Sequence, residues 1–326
     1  MYNSPYHEDL ADQPFLLGRH GESPKNAGDT SQGRGENVDP QVIQDAIDAG
    51  ASTEEIRALE NGLTDKGVAQ IEASVPALRA AGVDVRHVSH SGLNRAEQSA
   101  AAFVAASDEP KPAMRGVVGA GTDAHIKEIS QAGWEGKPRP EVKELRKEAR
   151  RALLAELTAA GMTEDLAEHA EWLLQLGGEG ETPLEGALRG IAAVEQHGPL
   201  PGELIHSHAM LNRYMDAIAT TVGGADREEL ARLLQETSAI GRVAVLAALR
   251  DMGVKAFKTS DHDVNRQANG GATEYTVDHA TGRWIAGRRI EPPKPGEEHE
   301  YVEHRRNADT GQWERATPGG AAGDNE

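Results

Sequence analysis

FLLGRHGES, residues 15–23, is the stretch from which the fold and the site of this chain can be inferred. Its apolar start, Phe15 to Leu17, is followed at once by glycine and charged side chains, a pattern typical of a short buried strand ending in a tight turn. At the carboxyl end of a parallel strand, such a turn faces a ligand crevice. We therefore predict that Arg19 and His20 lie beside a binding site.

The neighbouring side chains of Arg19 and His20 suit phosphate chemistry. A neutral imidazole can attack phosphorus, and a guanidinium can hold two phosphate oxygens while it neutralises charge in the transition state. An isolated Arg-His-Gly triplet, however, is more often a structural turn with a hydrogen-bonded histidine. The triplet alone leaves both interpretations open.

Strand and helix patterns alternate downstream of this turn. Thr64 precedes an amphipathic helix, which Pro76 is expected to kink or end. Residues 83–89 have the pattern of a second strand, and a helix is expected to start at Asn94. Residues 203–208 are expected to form a further short strand. This alternation favours an α/β fold with a mostly parallel sheet.

The sequence also predicts a helical insertion and a C-terminal β segment. Two helical patterns within residues 142–176 are separated by Gly161 and are interpreted as an inserted helical hairpin. Residues 237–253 fit either a buried helix or a last strand. From about residue 265, two Thr-Gly turns flanked by alternating segments indicate β-hairpins.

These patterns give a predicted domain organisation. Residues 1–12 and the tail 318–326 are expected to be disordered. Residues 13–264 are expected to form the main domain, which contains the helical insertion, and residues 265–317 a small β-hairpin appendage.

The composition of the 326 residues excludes several classes of protein. The chain has no cysteine, so neither a disulfide framework nor thiolate chemistry is available. No window approaches the roughly 20 apolar residues of a membrane span. Because the N-terminal sequence also lacks the pattern of a secretory signal, a cytoplasmic location is expected.

The charge balance is strongly acidic. Thirty-four basic side chains against 53 acidic ones give a net charge of -19. This charge repels nucleic acid and acidic membrane surfaces, so neither is expected as a partner. A small phosphate ester, the expected partner molecule, would have to be held by locally placed arginines.

Five segments of the chain, in order, resemble the histidine phosphatase superfamily, the phosphoglycerate-mutase-like proteins. The segments are Leu16–Ser23 with Asn26, Leu63–Gln70, Ser91–Ala100, Lys127–Gly136 and Gly177–His208. Three details differ from the usual family pattern. Ser99 stands where threonine is usual, Ala209 replaces the customary glycine, and one extra residue separates Glu128 from Trp134.

The resemblance implies a fold and a set of site residues. The fold would be a three-layer Rossmann-like α/β catalytic domain with a mostly parallel sheet and helices on both faces. Its site would use His20 as nucleophile and Glu128 as general acid, which protonates the leaving alkoxide. The candidate site residues are, as catalytic groups, His20, Glu128 and His208, and, as phosphate ligands, Arg19, Arg95, Ser23 and Asn26.

The segment that carries Glu128 resembles the phosphatase branch of the superfamily more than the mutase branch. We therefore predict a phosphoric monoester hydrolase of the histidine acid phosphatase type, which acts on a small phosphorylated metabolite through a phosphohistidine on His20. The alternatives are a phosphoglycerate-mutase-like phosphotransferase and a noncatalytic protein that binds phosphate.

No cofactor and no metal ion are expected. Asp261-His262-Asp263 has metal-ligand residue types, but no further ligand follows at a recognisable spacing, so a polar loop is the preferred interpretation. The C-terminal hairpins could mediate a homodimer, cover the pocket or do neither.

Overall fold

The computed structural model describes residues 14–27, 40–52, 55–56, 61–134, 137–177, 180–236, 238–255, 267–294, 300–307 and 312–316. The predictions for residues 1–12, for the tail 318–326 and for the triplet 261–263 fall outside these ranges. No helix in the described ranges combines the length and the apolar character that crossing a bilayer requires.

The strands of the described chain form one mixed sheet in the order β3-β2-β4-β1-β5-β6-β7-β8. The strands are β1 Phe15–Arg19, β2 His87–His90, β3 Ala113–Val117, β4 Glu203–Ser207, β5 Ala272–Asp278, β6 Arg283–Glu291, β7 Val302–Arg306 and β8 Trp313–Arg315. The pairs of β1 with β4, β4 with β2 and β2 with β3 are parallel. The remaining pairs are antiparallel.

The predicted C-terminal hairpins are present as strands of this same sheet. β5 and β6 pair around Thr281 and Gly282, as the sequence predicts, and β7 pairs with β8. β5 also pairs with β1, with Leu16 opposite Glu274 and Gly18 opposite Ala272. The C-terminal β segment therefore continues the central sheet at the strand that leads to His20.

Helices cover the sheet on both faces. They are α1 Pro24–Ala27, α2 Pro40–Asp48, α3 Asp65–Ala80, α4 Asn94–Ala106, α5 Arg139–Ala159, α6 Pro183–His197, α7 Ala209–Ala219, α8 Gly224–Leu234 and α9 Ala239–Asp251. Two segments are 3₁₀ helices, Ala132–Trp134 and Glu164–Leu173.

Alternating side chains of the buried strands separate two hydrophobic cores. Leu16 and Leu204 contribute to a cluster with residues of α3 and α4. Leu17 and Ile205 contribute to a larger cluster with residues of α5 to α9. Because successive strand residues face opposite sides of a sheet, this division makes three layers, as the predicted fold class requires.

Some boundaries differ from the sequence predictions. β2 begins at His87, so the predicted strand pattern from residue 83 is too long at its start. Pro76 does not end α3, which continues to Ala80. The second half of the 142–176 insertion is 3₁₀ helix rather than α-helix. The ambiguous segment 237–253 contains a helix, α9.

Candidate active site

The carboxyl ends of three parallel neighbours, β1, β4 and β2, meet at one edge of the sheet. The backbone N–H of His20 donates to the carbonyl of Ser207 at 3.1 Å, and that of Ser91 to the carbonyl of His206 at 3.1 Å. His20 and His208 are both buried, and their ring centroids lie 5.1 Å apart. Residues that follow different strands thus come together, as the sequence predicts.

Hydrogen bonding determines which nitrogen of His20 carries a lone pair. Nδ1 of His20 lies 2.6 Å from the carbonyl oxygen of Gly21. A carbonyl oxygen can only accept, so Nδ1 carries the proton of the neutral ring and Nε2 keeps its lone pair. Burial, together with the charges of Arg95 and Arg19, holds the pKa of His20 well below its ordinary value. The ring is therefore neutral at physiological pH, with its lone pair on Nε2.

The turn after His20 rests on the first turn of α3. Thr64 caps this helix by accepting from the N–H of Gly67 at 3.0 Å, and its own N–H donates to the carbonyl of Glu22 at 3.0 Å. The N–H of Glu22 donates to the side-chain oxygen of Gln70 at 2.8 Å. The Leu63–Gln70 segment therefore supports the turn that carries His20.

Two glycines allow this close approach. A Cβ added to Gly21 would lie 2.3 Å from the carbonyl oxygen of Gly67, and a Cβ added to Gly67 would lie 2.1 Å from the carbonyl oxygen of Glu22. Backbone contacts this short leave no room for any side chain.

The start of α4 brings Arg95 to the site. Arg95 is only 5% exposed. The charge of its guanidinium lowers the pKa of both His20 and His208. Ser99 lies one turn later, donates to the carbonyl of Arg95 at 2.7 Å and accepts from the N–H of Gly21 at 3.1 Å. A serine hydroxyl thus makes the link between α4 and the turn at the position where the family usually has threonine.

Arg19 is anchored by a segment that the sequence analysis does not connect with the site. Its Nη1 donates to the carbonyl of Gln267 at 2.8 Å. The buried side chain of Gln267 donates to the carbonyls of Leu17 and Gly271 and accepts from Asn212 at 3.2 Å. Because residue 267 lies nearly 250 positions after Arg19, no periodicity or short motif could have indicated this contact.

His208 is fully buried and is the N-cap residue of α7. Its Nε2 lies 2.7 Å from Oγ of Ser91, while its Nδ1 has no hydrogen-bond partner among the described residues. Burial is the largest cause that holds the pKa of His208 well below its ordinary value, followed by the charge of Arg95. His208 is therefore a second neutral imidazole facing the same space.

Glu128 reaches the site from residues 118–131, a stretch without strand or helix. Its Oε1 accepts from the N–H of Leu211, in the first turn of α7, at 3.0 Å, and from its neighbour Ile129 at 3.1 Å. The carboxyl group is therefore fixed beside the helix end that follows His208. We call residues 118–131 the acid loop.

Arg189 of α6 holds the acid loop in place. It donates to the carbonyl of His125, to Nδ1 of that ring at 2.7 Å and to the carbonyl of Lys127 at 3.3 Å. It also pairs with Glu181 at 2.6 Å. Three contacts from one guanidinium to the loop compensate for the absence of regular secondary structure there.

The two remaining predicted phosphate ligands, Ser23 and Asn26, have different positions. Ser23 is buried directly before α1, whereas the side chain of Asn26, within α1, lies outside the described part of the chain. His206 is buried beneath the site against Phe103, and neither ring nitrogen has a partner among the described residues. Burial, aided by His90, lowers the pKa of His206 to about 3, so its ring is neutral.

Together these contacts bring two neutral imidazoles, two buried guanidinium groups and one carboxyl group to one edge of the sheet. The arrangement can bind a phosphate anion and offer it a nitrogen nucleophile and a proton donor. Within the described ranges, no three histidine or acidic side chains are grouped in a way that could hold a metal ion.

A family model described as the histidine phosphatase superfamily (branch 1) matches residues 55–245. These residues include Arg95, Glu128 and His208, while Arg19 and His20 precede them. No curated protein matches the chain.

Several solved structures are similar to this chain at low sequence identity. A mycobacterial glucosyl-3-phosphoglycerate phosphatase in complex with VO3 is 16% identical, with a TM-score of 0.46, and the match covers 84% of this chain and 97% of that one. A putative alpha-ribazole-5'-P phosphatase from Escherichia coli K-12 is 14% identical, with a TM-score of 0.45 and coverage of 84% and 94%. A phosphoserine phosphatase from Entamoeba histolytica is 14% identical, with a TM-score of 0.43 and coverage of 86% and 98%.

Proposed function

The chain belongs to the histidine phosphatase superfamily, branch 1, and on this premise we propose that it hydrolyses a small phosphate monoester through a phosphohistidine on His20. The family match supports phosphatase activity. The observation that carries the phosphohistidine step is the hydrogen bond from Nδ1 of His20 to the carbonyl of Gly21, which leaves the lone pair on Nε2.

The phosphoryl group would be held by groups that are already in place. Arg19 and Arg95 are 4% and 5% exposed, and their charges compensate locally for the net charge of -19. The ring of His208 lies next to that of His20, with 5.1 Å between the ring centroids. Ser23 and Asn26 are proposed as further phosphate ligands.

In the first step, Nε2 of His20 forms a bond to phosphorus while the bond from phosphorus to the ester oxygen breaks. The leaving alkoxide takes a proton from Glu128. Both hydrogen bonds of that carboxyl group use Oε1, so the proton would be carried on Oε2. In the second step, Glu128 takes a proton from a water molecule, whose oxygen displaces His20 from phosphorus and releases inorganic phosphate.

The first experiment measures hydrolysis of para-nitrophenyl phosphate by the wild type and by His20→Ala. We expect the variant to lose at least about 10³-fold in kcat/KM, because no other lone pair replaces Nε2. Rapid quenching in alkali, in which phosphohistidine is stable, after brief exposure to ³²P-labelled inorganic phosphate should trap label on the wild type alone. His279→Ala, which changes an exposed histidine in the β5–β6 turn, is the matched control and should keep wild-type activity.

The two alternatives give different results in the same assays. A mutase would transfer phosphate between positions of a phosphoglycerate only after priming with a bisphosphorylated compound. A noncatalytic binder would retain inorganic phosphate without releasing product from any ester. Equal hydrolysis by the wild type and by His20→Ala would refute the phosphohistidine proposal.

A further inference from the structure

Ser91 is a buried residue that directly follows β2 and contacts the second histidine of the site. It is 0% exposed, and its Oγ lies 2.7 Å from Nε2 of His208. The N–H of Leu93 points to the same hydroxyl oxygen at 3.4 Å. Ser91 belongs to the Ser91–Ala100 segment, but the steps proposed above assign it no role.

The hydroxyl group of Ser91 and the neutral ring of His208 each have one proton to donate. Neutral imidazole has one N–H, and a serine hydroxyl has one O–H. If Leu93 donates to Oγ, the hydroxyl proton remains free to be donated, and the nearest acceptor is Nε2 of His208. In that arrangement Nε2 is the unprotonated nitrogen, and the ring proton lies on Nδ1.

The opposite tautomer of His208, with its proton on Nε2, is electrostatically unfavourable. If Nε2 carried the proton and donated to Ser91, the hydroxyl would accept twice and its own proton would need another acceptor. Nδ1, which is buried and has no partner among the described residues, would then carry an unsatisfied lone pair. A buried lone pair facing a phosphate anion is repelled, whereas an N–H in that place makes a charge-assisted hydrogen bond.

We propose that Ser91 is a positioning residue that donates to Nε2 of His208 and thereby keeps the ring proton on Nδ1, where it is donated to a phosphoryl oxygen. The two histidines of the site then have opposite tautomers. His20 has its proton on Nδ1, bound by the carbonyl of Gly21, and turns a lone pair to phosphorus. His208 has its lone pair bound by Ser91 and turns its N–H to the phosphoryl oxygens.

The part of this inference that concerns phosphate rests on the proposed function, whereas the tautomer does not. It can be measured by ¹⁵N NMR of wild-type protein labelled with ¹⁵N-histidine, with and without inorganic phosphate. His208→Ala assigns the signals. We expect the His208 ring to be protonated at Nδ1 in both samples, and a ring protonated at Nε2 would overturn the proposal.

Variants of Ser91 test the cause. Ser91→Ala should give a mixture of tautomers or the Nε2-protonated form, and Ser91→Thr, which keeps a hydroxyl group, should restore the wild-type signals. The matched control is Ser89→Ala, because Ser89 lies two residues earlier, within β2, and donates to Glu203 instead. It should leave the tautomer of His208 unchanged. An unchanged tautomer in Ser91→Ala would also overturn the proposal.

Kinetic measurements distinguish a positioning role of Ser91 from a purely structural one. With para-nitrophenyl phosphate we expect Ser91→Ala to lose roughly tenfold in kcat, less than the removal of a donor costs, because part of the ring population keeps the productive tautomer. The inhibition constant of inorganic phosphate should rise as well, and Ser91→Thr should restore both values. Loss of activity with an unaltered tautomer would indicate only structural support. Absence of hydrolysis by the wild type would refute the proposed function without affecting the tautomer measurement.

Discussion

Two regions of the site are built by different means. The first, which we call the phosphate cradle, consists of Arg19, His20, Arg95 and His208, which lie at or next to strand ends and helix starts. The second is the acid loop, residues 118–131, which has no regular structure and is held by Arg189 and by the end of α7. The comparison indicates that the sheet fixes the positions of the cradle residues, whereas the position of Glu128 depends on hydrogen bonds between side chains and distant backbone groups.

The first prediction separates the two regions by the leaving group of the substrate. Glu128→Gln should lose roughly 10³-fold in kcat/KM, which reports the first step and not the hydrolysis of the phosphohistidine, on an alkyl phosphate such as glycerol phosphate, because an alkoxide needs a proton to leave. On para-nitrophenyl phosphate, whose leaving group is stable as an anion, the loss should be far smaller. Steady-state kinetics with both esters measure the ratio.

Glu22→Gln is the control for this ratio. Its carboxyl group pairs with Lys66 at 2.8 Å and accepts from Thr64, so it is engaged outside the reaction. The control should change both rates by the same factor. Equal losses of Glu128→Gln on the two esters would contradict its role as general acid.

The second prediction disturbs the cradle without touching a charged group. Gly67→Ala places a Cβ 2.1 Å from the carbonyl oxygen of Glu22, so the turn after His20 must move. Because displacement by even 1 Å can cost about 10²-fold in rate, we expect a loss of that order with both esters. A loss of rate that differs between the two esters would contradict this expectation.

Gly224→Ala is the matched control for Gly67→Ala. It also introduces one methyl group at the start of a helix, α8, but the nearest atoms to the new Cβ are 3.9 Å and 4.0 Å away. Activity should be unchanged, and thermal unfolding should show whether stability is retained in both variants.

The third prediction concerns a substitution that should loosen the acid loop and leave the cradle intact. Arg189→Met removes the donors to the carbonyls of His125 and Lys127. We expect a loss of roughly tenfold in kcat with the alkyl ester, since Glu128 keeps its own bond to Leu211 but occupies more positions. The inhibition constant of inorganic phosphate should change much less.

Arg232→Met provides the corresponding control. Arg232 also forms an ion pair, at 2.6 Å to Glu229, but both residues lie on α8 and are exposed. It should have no effect on either ester. A large rise in the inhibition constant of phosphate for Arg189→Met would mean that the acid loop also shapes the cradle.

The sequence is more informative about the cradle than about the acid loop. The turn after Leu17, the start of α4 at Asn94 and the strand before His208 depend on local patterns of apolar residues, glycine and caps, which short windows reveal. The position of Glu128 depends on Leu211 and Arg189, which are distant in the chain. No local pattern encodes such contacts.

Two other segments of the fold have causes of their own. Residues 237–253 are apolar enough for a strand, but Ser238 caps a helix by accepting from the N–H of Gly241 at 3.1 Å. Pro76 is tolerated inside α3, where the helix is supported by a buried face that contacts the sheet. A local cap thus starts the helix at Ser238, whereas tertiary contacts override local propensity at Pro76.

The smallest effect on activity is expected at the opposite end of β4, where Glu203 is buried. Ser89 and His197 hydrogen-bond to its Oε1 at 2.6 Å and 2.8 Å, and the N–H of Leu200 donates to Oε2 at 2.8 Å. Burial alone would raise the pKa of Glu203, but these hydrogen bonds outweigh it and lower the pKa from 4.5 to about 2.

A carboxyl group with a depressed pKa stabilises the fold above its unfolded pKa, and this contribution is lost as the pH falls through the folded value. The shift from 4.5 to about 2 corresponds to about 3 kcal/mol of unfolding free energy. We expect Glu203→Gln to be less stable than the wild type at pH 6 and the difference to shrink between pH 4.5 and 2, measured by urea unfolding. Hydrolysis of para-nitrophenyl phosphate near neutral pH should remain at the wild-type level, because Glu203 lies at the end of β4 away from the cradle. A difference in stability that does not depend on pH would show that the ionised carboxylate is not what stabilises this end of the sheet.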